Sequence, residues 1–174
     1  MLTVLKIGGS LAEHPAILRQ LCQEFSALAK EYRILIIPGG GEFADIARKL
    51  YKNYGFSNIV AHKMGILSMD QFGLFLSDIV VNSFVTYSLE EIRKSAKGKV
   101  PIFLPSTSMF REDPLEKSWD VTSDSIAAYI ANLLQAQKLL LVTDVDGIFY
   151  EDPKKKLDAK LIEELSAQEL LSWN

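Results

Sequence analysis

Hydrophobic positions along this chain fall into two alternating kinds of segment. Leu2 to Ile7 and Arg33 to Ile37 are short apolar runs, the second unbroken as far as Pro38, as strands buried on both faces of a parallel sheet require. After each run the apolar residues recur at helical spacing. Ile17, Leu18, Leu21, Phe25, Leu28 and Ala29 mark a helix from Pro15 to about Lys30, and Phe43, Ile46, Ala47 and Leu50 mark a second. Pro15 suits the first turn of its helix, where its missing N–H has no intrahelical bond to lose. From Ala61 to Tyr87 the chain is apolar with few breakers, which predicts mostly helix, read as one long element. A short helix over Leu89 to Ala96 and a strand over Val100 to Leu104 follow, the strand tolerating Pro101 at its start. Pro105 to Trp119 is polar and proline-bearing and reads as a loop. A helix over Ser123 to Gln135, a strand over Lys138 to Thr143, a turn at Asp152-Pro153 and a helical tail from Leu161 to Trp173 complete the pattern. Strands alternating with helices predict an α/β fold with a largely parallel sheet.

The bulk numbers change this picture little. A length of 174 residues suits one domain with a substantial core and is short for two, so residues 1–174 read as a single domain. The 48% hydrophobic and 24% charged fractions are those of an ordinary globular chain. A net charge of -3 with no basic stripe argues against nucleic acid as a partner, and Lys154-Lys155-Lys156 reads as a solvated turn. No run approaches the roughly 20 apolar residues of a membrane span, and the N-terminus enters a strand at once, so no membrane and a cytoplasmic location are expected. Cys22 is the only cysteine, which excludes an intrachain disulfide, and among Leu18, Leu21 and Phe25 it reads as packing. The apolar stretch from Ile66 to Val85 exceeds one helix face. It points to deep burial or a subunit interface, and to a homo-oligomer.

Chemistry enters through four motifs in fixed order: Lys6-Ile7-Gly8-Gly9-Ser10, Pro38-Gly39-Gly40-Gly41, Val121-Thr122-Ser123-Asp124-Ser125 and Thr143-Asp144-Val145-Asp146-Gly147. The first, second and fourth follow strands, and ligands of open α/β sheets bind beyond the carboxyl ends of the strands. Gly8 and Gly9 either make a simple turn or bring backbone N–H groups close to phosphate oxygens, with Ser10 adding a hydroxyl or capping the next helix. Three successive glycines at 39–41 are costly in backbone entropy, and the helix N-terminus after them attracts anions. Lys6 stands in an apolar strand and needs an anionic partner. Asp144, at another strand end, is the expected one, in a structural ion pair or holding a lysine that neutralises a migrating phosphoryl group. Asp124 either caps its helix or orients a metal or lysine at the phosphates. Asp146-Gly147 either ends its strand as a turn or belongs to the phosphate site. His14 reads as a surface residue, and His62 as a helix-start residue or part of an acceptor pocket. No serine–histidine–aspartate set, cysteine–histidine pair or Walker-type Gly-Lys-Ser/Thr occurs.

These ordered motifs, with Leu141-Val142 before the fourth, Ile148 after it and Asp152-Pro153 beyond, resemble the amino acid kinase superfamily, which includes acetylglutamate, aspartate, uridylate and isopentenyl phosphate kinases. The resemblance covers nearly the whole chain. It implies a carbamate-kinase-like three-layer αβα sandwich on a mostly parallel open sheet, and ATP-dependent transfer, with Mg2+, to a carboxylate or phosphate acceptor. On this reading the catalytic residues are Lys6, at the migrating phosphoryl group, Asp144, which organises lysine side chains, and Asp124. Gly8, Gly9, Ser10, Thr143, Asp146 and Gly147 would border the nucleotide and its phosphates, and Gly39, Gly40 and Gly41 would face the acceptor. Gly41-Glu42-Phe43-Ala44-Asp45 and Ala61-His62-x-Met64-x-Ile66-Leu67-x-Met69-Asp70-Gln71-Phe72-Gly73 look, more finely, like the kinases of [5-(aminomethyl)furan-3-yl]methyl phosphate in methanofuran biosynthesis. An acceptor of that kind carries a cation, so a carboxylate such as Asp45 or Asp70 would suit its pocket, with His62 beside it if it is not simply a helix-start residue. Isopentenyl phosphate kinases carry glycine-histidine where this chain has Ala44-Asp45. The superfamily also has a later segment with a second phosphate-contacting lysine, which Lys154 to Lys156 and Lys160 do not match, so that segment is expected to be missing from residues 1–174. Kinases of other acceptors, and a nucleotide- or anion-binding sensor without transfer, are the alternative readings.

Overall fold

In a computed structural model, residues 1–112, 114–118, 121–156 and 158–173 are described. The first of two compact units, Met1–Val142, holds five parallel strands. These are β1 (Leu2–Ile7), β2 (Arg33–Pro38), β3 (Ser83–Thr86), β4 (Val100–Phe103) and β5 (Lys138–Val142), in the order β3-β4-β2-β1-β5. The helices are α1 (Pro15–Leu28), α2 (Gly41–Tyr54), α3 (Asn58–Ile79), α4 (Leu89–Lys94), α5 (Ser106–Glu112) and α6 (Ser123–Leu133), with a 3-10 turn at Gly9–Glu13.

Alternation along the strands sorts the core into two layers. Leu5 and Ile7 of β1 and Ile34 and Ile36 of β2 pack with Leu18, Cys22 and Phe25 of α1. Leu2 and Val4, with Leu35 and Ile37, pack on the opposite side with Ile126, Ala127 and Ile130 of α6. The long α3 serves both, giving Phe72 and Leu76 to the first cluster and Ile66 and Met69 to the second. The expected αβα sandwich with a parallel open sheet is therefore present. α1 leads from β1 to β2 over one face, and α6 leads into β5, on β1's other side, over the opposite face. Connections that diverge in this way open a crevice at the carboxyl end of β1, where the first glycine loop begins. Cys22 is fully buried, and burial pushes its thiol up to about 11. Among the described residues no helix is long and apolar enough to cross a membrane.

Several expectations need correction. The apolar stretch from Ala61 to Tyr87 is two elements, because α3 ends at Ile79, Asn82 turns the chain at φ 60° and β3 follows. Apolar strength alone cannot separate a buried helix from the short strand after it. The loop expected over Pro105 to Trp119 contains α5, whose N-terminus is held by Asp70 from α3, a tertiary contact with no local signature. Ile17 and Leu28, counted on the buried face of α1, are 53% and 46% exposed, and on α2 the buried residues are Ala44 and Ala47 while Phe43, Ile46 and Leu50 are exposed.

The second unit runs from Thr143 onward. Phe149 and Leu161 form an antiparallel bridge flanked by Ile162 N–H donating to Ile148 at 2.8 Å, and Tyr150 stacks on Trp173 at 5.7 Å between ring centroids. The helical tail expected from Leu161 is confined to α7 (Ala167–Leu171), because Leu161 is extended in the bridge and Ser166 with Glu169 forms a capping box that starts the helix late.

Candidate active site

Two glycine loops meet backbone to backbone at the carboxyl ends of β1 and β2. A Cβ on Gly9 would lie 2.1 Å from the nitrogen and 2.2 Å from the Cα of Gly41, and one on Gly39 would lie 2.8 Å from the nitrogen of Gly9. Side chains are excluded from this seam by contact, and Gly41 also takes a left-handed φ of 54° that favours glycine. The amides divide into two sets. Gly8 N–H donates to Val142 at 2.7 Å and Gly39 N–H to Ile7 at 2.8 Å, so these two extend the sheet. Gly9 opens the 3-10 turn and Gly41 opens α2, and the first N–H groups of a helix have no acceptor inside it. The donors suited to phosphate are thus those of Gly9 and of Gly40-Gly41, at the mouth of the crevice.

Lys6 is 8% exposed and shares its side of β1 with Leu2 and Val4, facing α6. Its partner is Asp124, with 2.8 Å between Nζ and Oδ1. The expectation that Asp144 pairs with Lys6 is corrected accordingly: Asp144 pairs within the second unit, with Lys154 at 2.7 Å, and takes a hydrogen bond from the Thr143 hydroxyl at 3.1 Å. The alternatives for Asp124 are also resolved in part. Thr122 is the residue that caps α6, accepting from the Asp124 N–H at 3.3 Å, which leaves the Asp124 carboxylate for the lysine. Thr122 as cap and Asp124 two residues on are both legible as a motif; the strand residue they serve is not.

Two adjoining clefts lie beside the seam. One is lined by Gly9, Ser10, Glu13, Gly40, Gly41, Glu42, Asp45 and Ser123 among others, the second by His62, Ile66, Met69, Val121, Thr122 and Ser123 among others. Gly40, Ala44, Arg48 and Ser123 belong to both. Of the residues expected around an acceptor, Asp45 therefore lines the first cleft and His62 the second. Arg48 escapes sequence reasoning, although its spacing of four from Ala44 and eight from Gly40 is there to be read. In the second unit, Asp144, Asp146, Phe149, Pro153 and Lys154 line a cleft of their own.

Asp70 is buried and has a different setting. One carboxylate oxygen accepts from the Ser106 N–H at 3.2 Å and the other from the Ser106 hydroxyl, so its polar contacts go to the start of α5 and it lines neither cleft. Burial holds the Asp70 carboxyl above the usual carboxylate range, against the pull of the two Ser106 donors. A carboxyl raised in the fold gives a stability contribution that is present below its unfolded value of about 3.9 and is lost as pH rises through the folded value. Asp70→Asn carries no such charge. Its stability relative to the native chain is expected to improve from pH 4 to pH 7 in urea unfolding, and parallel pH profiles would contradict this.

With the geometry established, similarity to known proteins is informative. The profile of the amino acid kinase family matches residues 1–174. The chain is 38% identical over 156 residues to a [5-(aminomethyl)furan-3-yl]methyl phosphate kinase of Methanocaldococcus jannaschii, covering 88% of this chain and 71% of that protein. It is 27% identical to a uridylate kinase of Methanobrevibacter smithii, over 99% of this chain and 75% of the relative. Among solved structures, a uridylate kinase from Archaeoglobus fulgidus superposes with a TM-score of 0.76 at 22% identity, over 99% of this chain and 77% of its own. An isopentenyl phosphate kinase from T. acidophilum does so at 0.65 and 20%, over 99% and 82%. At such identities the structures speak for the fold alone.

Proposed function

This chain belongs to the amino acid kinase family and is a phosphotransferase, and from that premise we propose that its acceptor is itself a phosphate monoester, an aminomethylfuran methyl phosphate, converted to a diphosphate at the expense of ATP. The observation that carries this reading is the glycine seam with its N–H donors, beside which an open cleft lies. Two anions must be brought together for one phosphate to attack another, and a wall of backbone N–H groups with a buried lysine offsets that repulsion. An oxygen of the acceptor phosphate attacks the γ-phosphorus in line, the bond to the β-bridging oxygen breaks, and ADP leaves. Lys6 neutralises charge on the migrating group, and Asp124 fixes the direction of its ammonium. Mg2+, the usual companion of ATP, would arrive with the nucleotide and neutralise part of the charge on its phosphates. The choice among monoesters rests on the 38% identical relative, whose acceptor is the aminomethylfuran phosphate. A coupled ADP-release assay over a panel of acceptors tests the reading. Turnover with phosphate monoesters, fastest with the aminomethylfuran compound, is expected, and turnover confined to carboxylate acceptors, or none, would overturn it.

The active species on this reading is a homo-oligomer. α3 is apolar nearly all round, and helices of that kind are covered on every side. Yet Val60, Leu67 and Leu74, seven residues apart on one stripe, are 46%, 46% and 52% exposed, beside exposed Phe43 and Ile46 of α2. A second copy of the chain would cover them. In sedimentation at about 10 μM (a concentration typical of moderately tight association) the native chain is expected to be oligomeric and the Leu67→Glu, Leu74→Glu double variant monomeric. A monomeric native chain would remove this part of the proposal.

A further inference from the structure

Arg48 stands where a phosphate-selecting residue is needed, and the mechanism above leaves it without a task. Gly40, the N-cap of α2, and Ala44 and Arg48 within it stand at i, i+4 and i+8 and so form one stripe of the helix. All three line both adjoining clefts. The stripe is bare at its start: Gly40 has no side chain, Ala44 has only a methyl, and a Cβ on Gly40 would lie 2.5 Å from that methyl. Helical side chains lean toward the N-terminus, so the Arg48 stem runs back along the stripe, whose ends are about 12 Å apart along the axis. The floor of the cleft is therefore backbone at one end and guanidinium at the other.

Charge supports the same assignment. Arg48 donates from Nη1 to Asp45 at 2.6 Å, and the two side chains are 56% and 67% exposed. An exposed pair of this kind contributes little to stability and exchanges readily for a stronger partner. A guanidinium fork takes a carboxylate or a phosphate through two parallel hydrogen bonds, but a phosphate monoester near neutral pH brings close to two negative charges and three acceptor oxygens, which makes it the stronger partner. Asp45, displaced from the guanidinium, is then available to a cation elsewhere on the acceptor.

We propose that Arg48 is the residue that selects a phosphate monoester as acceptor, binding its dianion at the open end of the Gly40–Ala44 stripe in exchange for Asp45. The assignment rests on the acceptor reading given above. Two phosphate sources share this chemistry, the acceptor and the nucleotide, and the assignment is to the acceptor.

Calorimetric titration of the full chain separates the possibilities, with [5-(aminomethyl)furan-3-yl]methyl phosphate, isopentenyl phosphate, UMP and ATP as separate ligands. Arg48→Gln is expected to weaken binding of whichever monoesters the native chain binds by about ten- to a hundredfold, the range for loss of a charge-assisted hydrogen bond, and to leave ATP binding unchanged. Arg48→Lys, which keeps the charge and loses the fork, is expected to fall between. Native-like monoester affinity in Arg48→Gln would overturn the role of Arg48 and leave the proposed function standing. A parallel loss for ATP would assign Arg48 to nucleotide phosphate and overturn the proposal. A native chain that binds ATP and no monoester would overturn the acceptor reading and this assignment with it. If Arg48→Gln fails to fold, Arg48→Lys decides, and native-like monoester affinity in it would overturn the forked contact.

Discussion

Lys6→Met is expected to lower phosphoryl transfer by about 10²–10³-fold, the usual loss when one preorganised donor to transition-state charge is removed. Methionine keeps most of the buried stem, so the packing of β1 against α6 survives and the change is confined to the charge. The fold should tolerate it. Asp124 is 47% exposed, and although the Oδ1 that meets Lys6 is buried, the carboxylate keeps contact with solvent through the rest of its side chain, so the ion pair contributes only modest stability after solvent screening. The expected signature is therefore a large fall in the single-turnover rate with a thermal midpoint close to that of the native chain. Asp124→Asn acts only through the direction of the Lys6 ammonium, and should lose about tenfold or less. A Lys6→Met protein that retained native turnover would show that the buried ammonium is a structural ion pair.

Gly9→Ala is expected to damage both stability and activity. Its methyl would overlap the Gly41 backbone at 2.1 Å, which no rotamer can relieve because the obstacle is main chain. The loops must separate by about an ångström or more, since a methyl needs ordinary van der Waals distance. Overpacking of this kind costs about 1–3 kcal/mol, and a displacement of about 1 Å in a positioning element can cost 10²-fold in rate. Gly55→Ala is the informative contrast. Gly55 ends α2 at a φ of 62°, and no atom lies within 4 Å of where its methyl would stand. That substitution carries only the conformational cost of about 1–2 kcal/mol and should leave turnover unchanged. Urea midpoints and single-turnover rates on the two proteins separate close approach from backbone strain. Equal rate losses in both would contradict the importance of the seam.

What can be read from the chain is whatever the chain carries locally. Leu2 to Ile7 and Arg33 to Pro38 announce their strands because a doubly buried strand has no polar face to confuse it. Gly8-Gly9 and Gly39-Gly40-Gly41 announce a close approach of main chain, because so many glycines at two strand ends have few other uses. Partners are another matter. Lys6 plainly needs a carboxylate, but Asp144 and Asp124 both belong to motifs, and only the placement of α6 over the Lys6 side of β1 selects Asp124. The helix α5 is hidden because its cap is Asp70, 36 residues earlier in the chain, and β3 is hidden because nothing within the apolar run marks the end of α3. Arg48 is hidden for a different reason: on a largely exposed helix an arginine reads as solvation until the bare Gly40–Ala44 stripe is seen beside it.

The central claim is that one phosphate is joined to another. Phosphorus NMR of the chain incubated with ATP, Mg2+ and [5-(aminomethyl)furan-3-yl]methyl phosphate tests it most directly, because a new P–O–P bond couples two phosphorus nuclei. A pair of mutually coupled doublets from the furan product, growing in step with ADP, is the expected result. A monoester singlet that stays unchanged, whether or not ATP is consumed, would contradict the account.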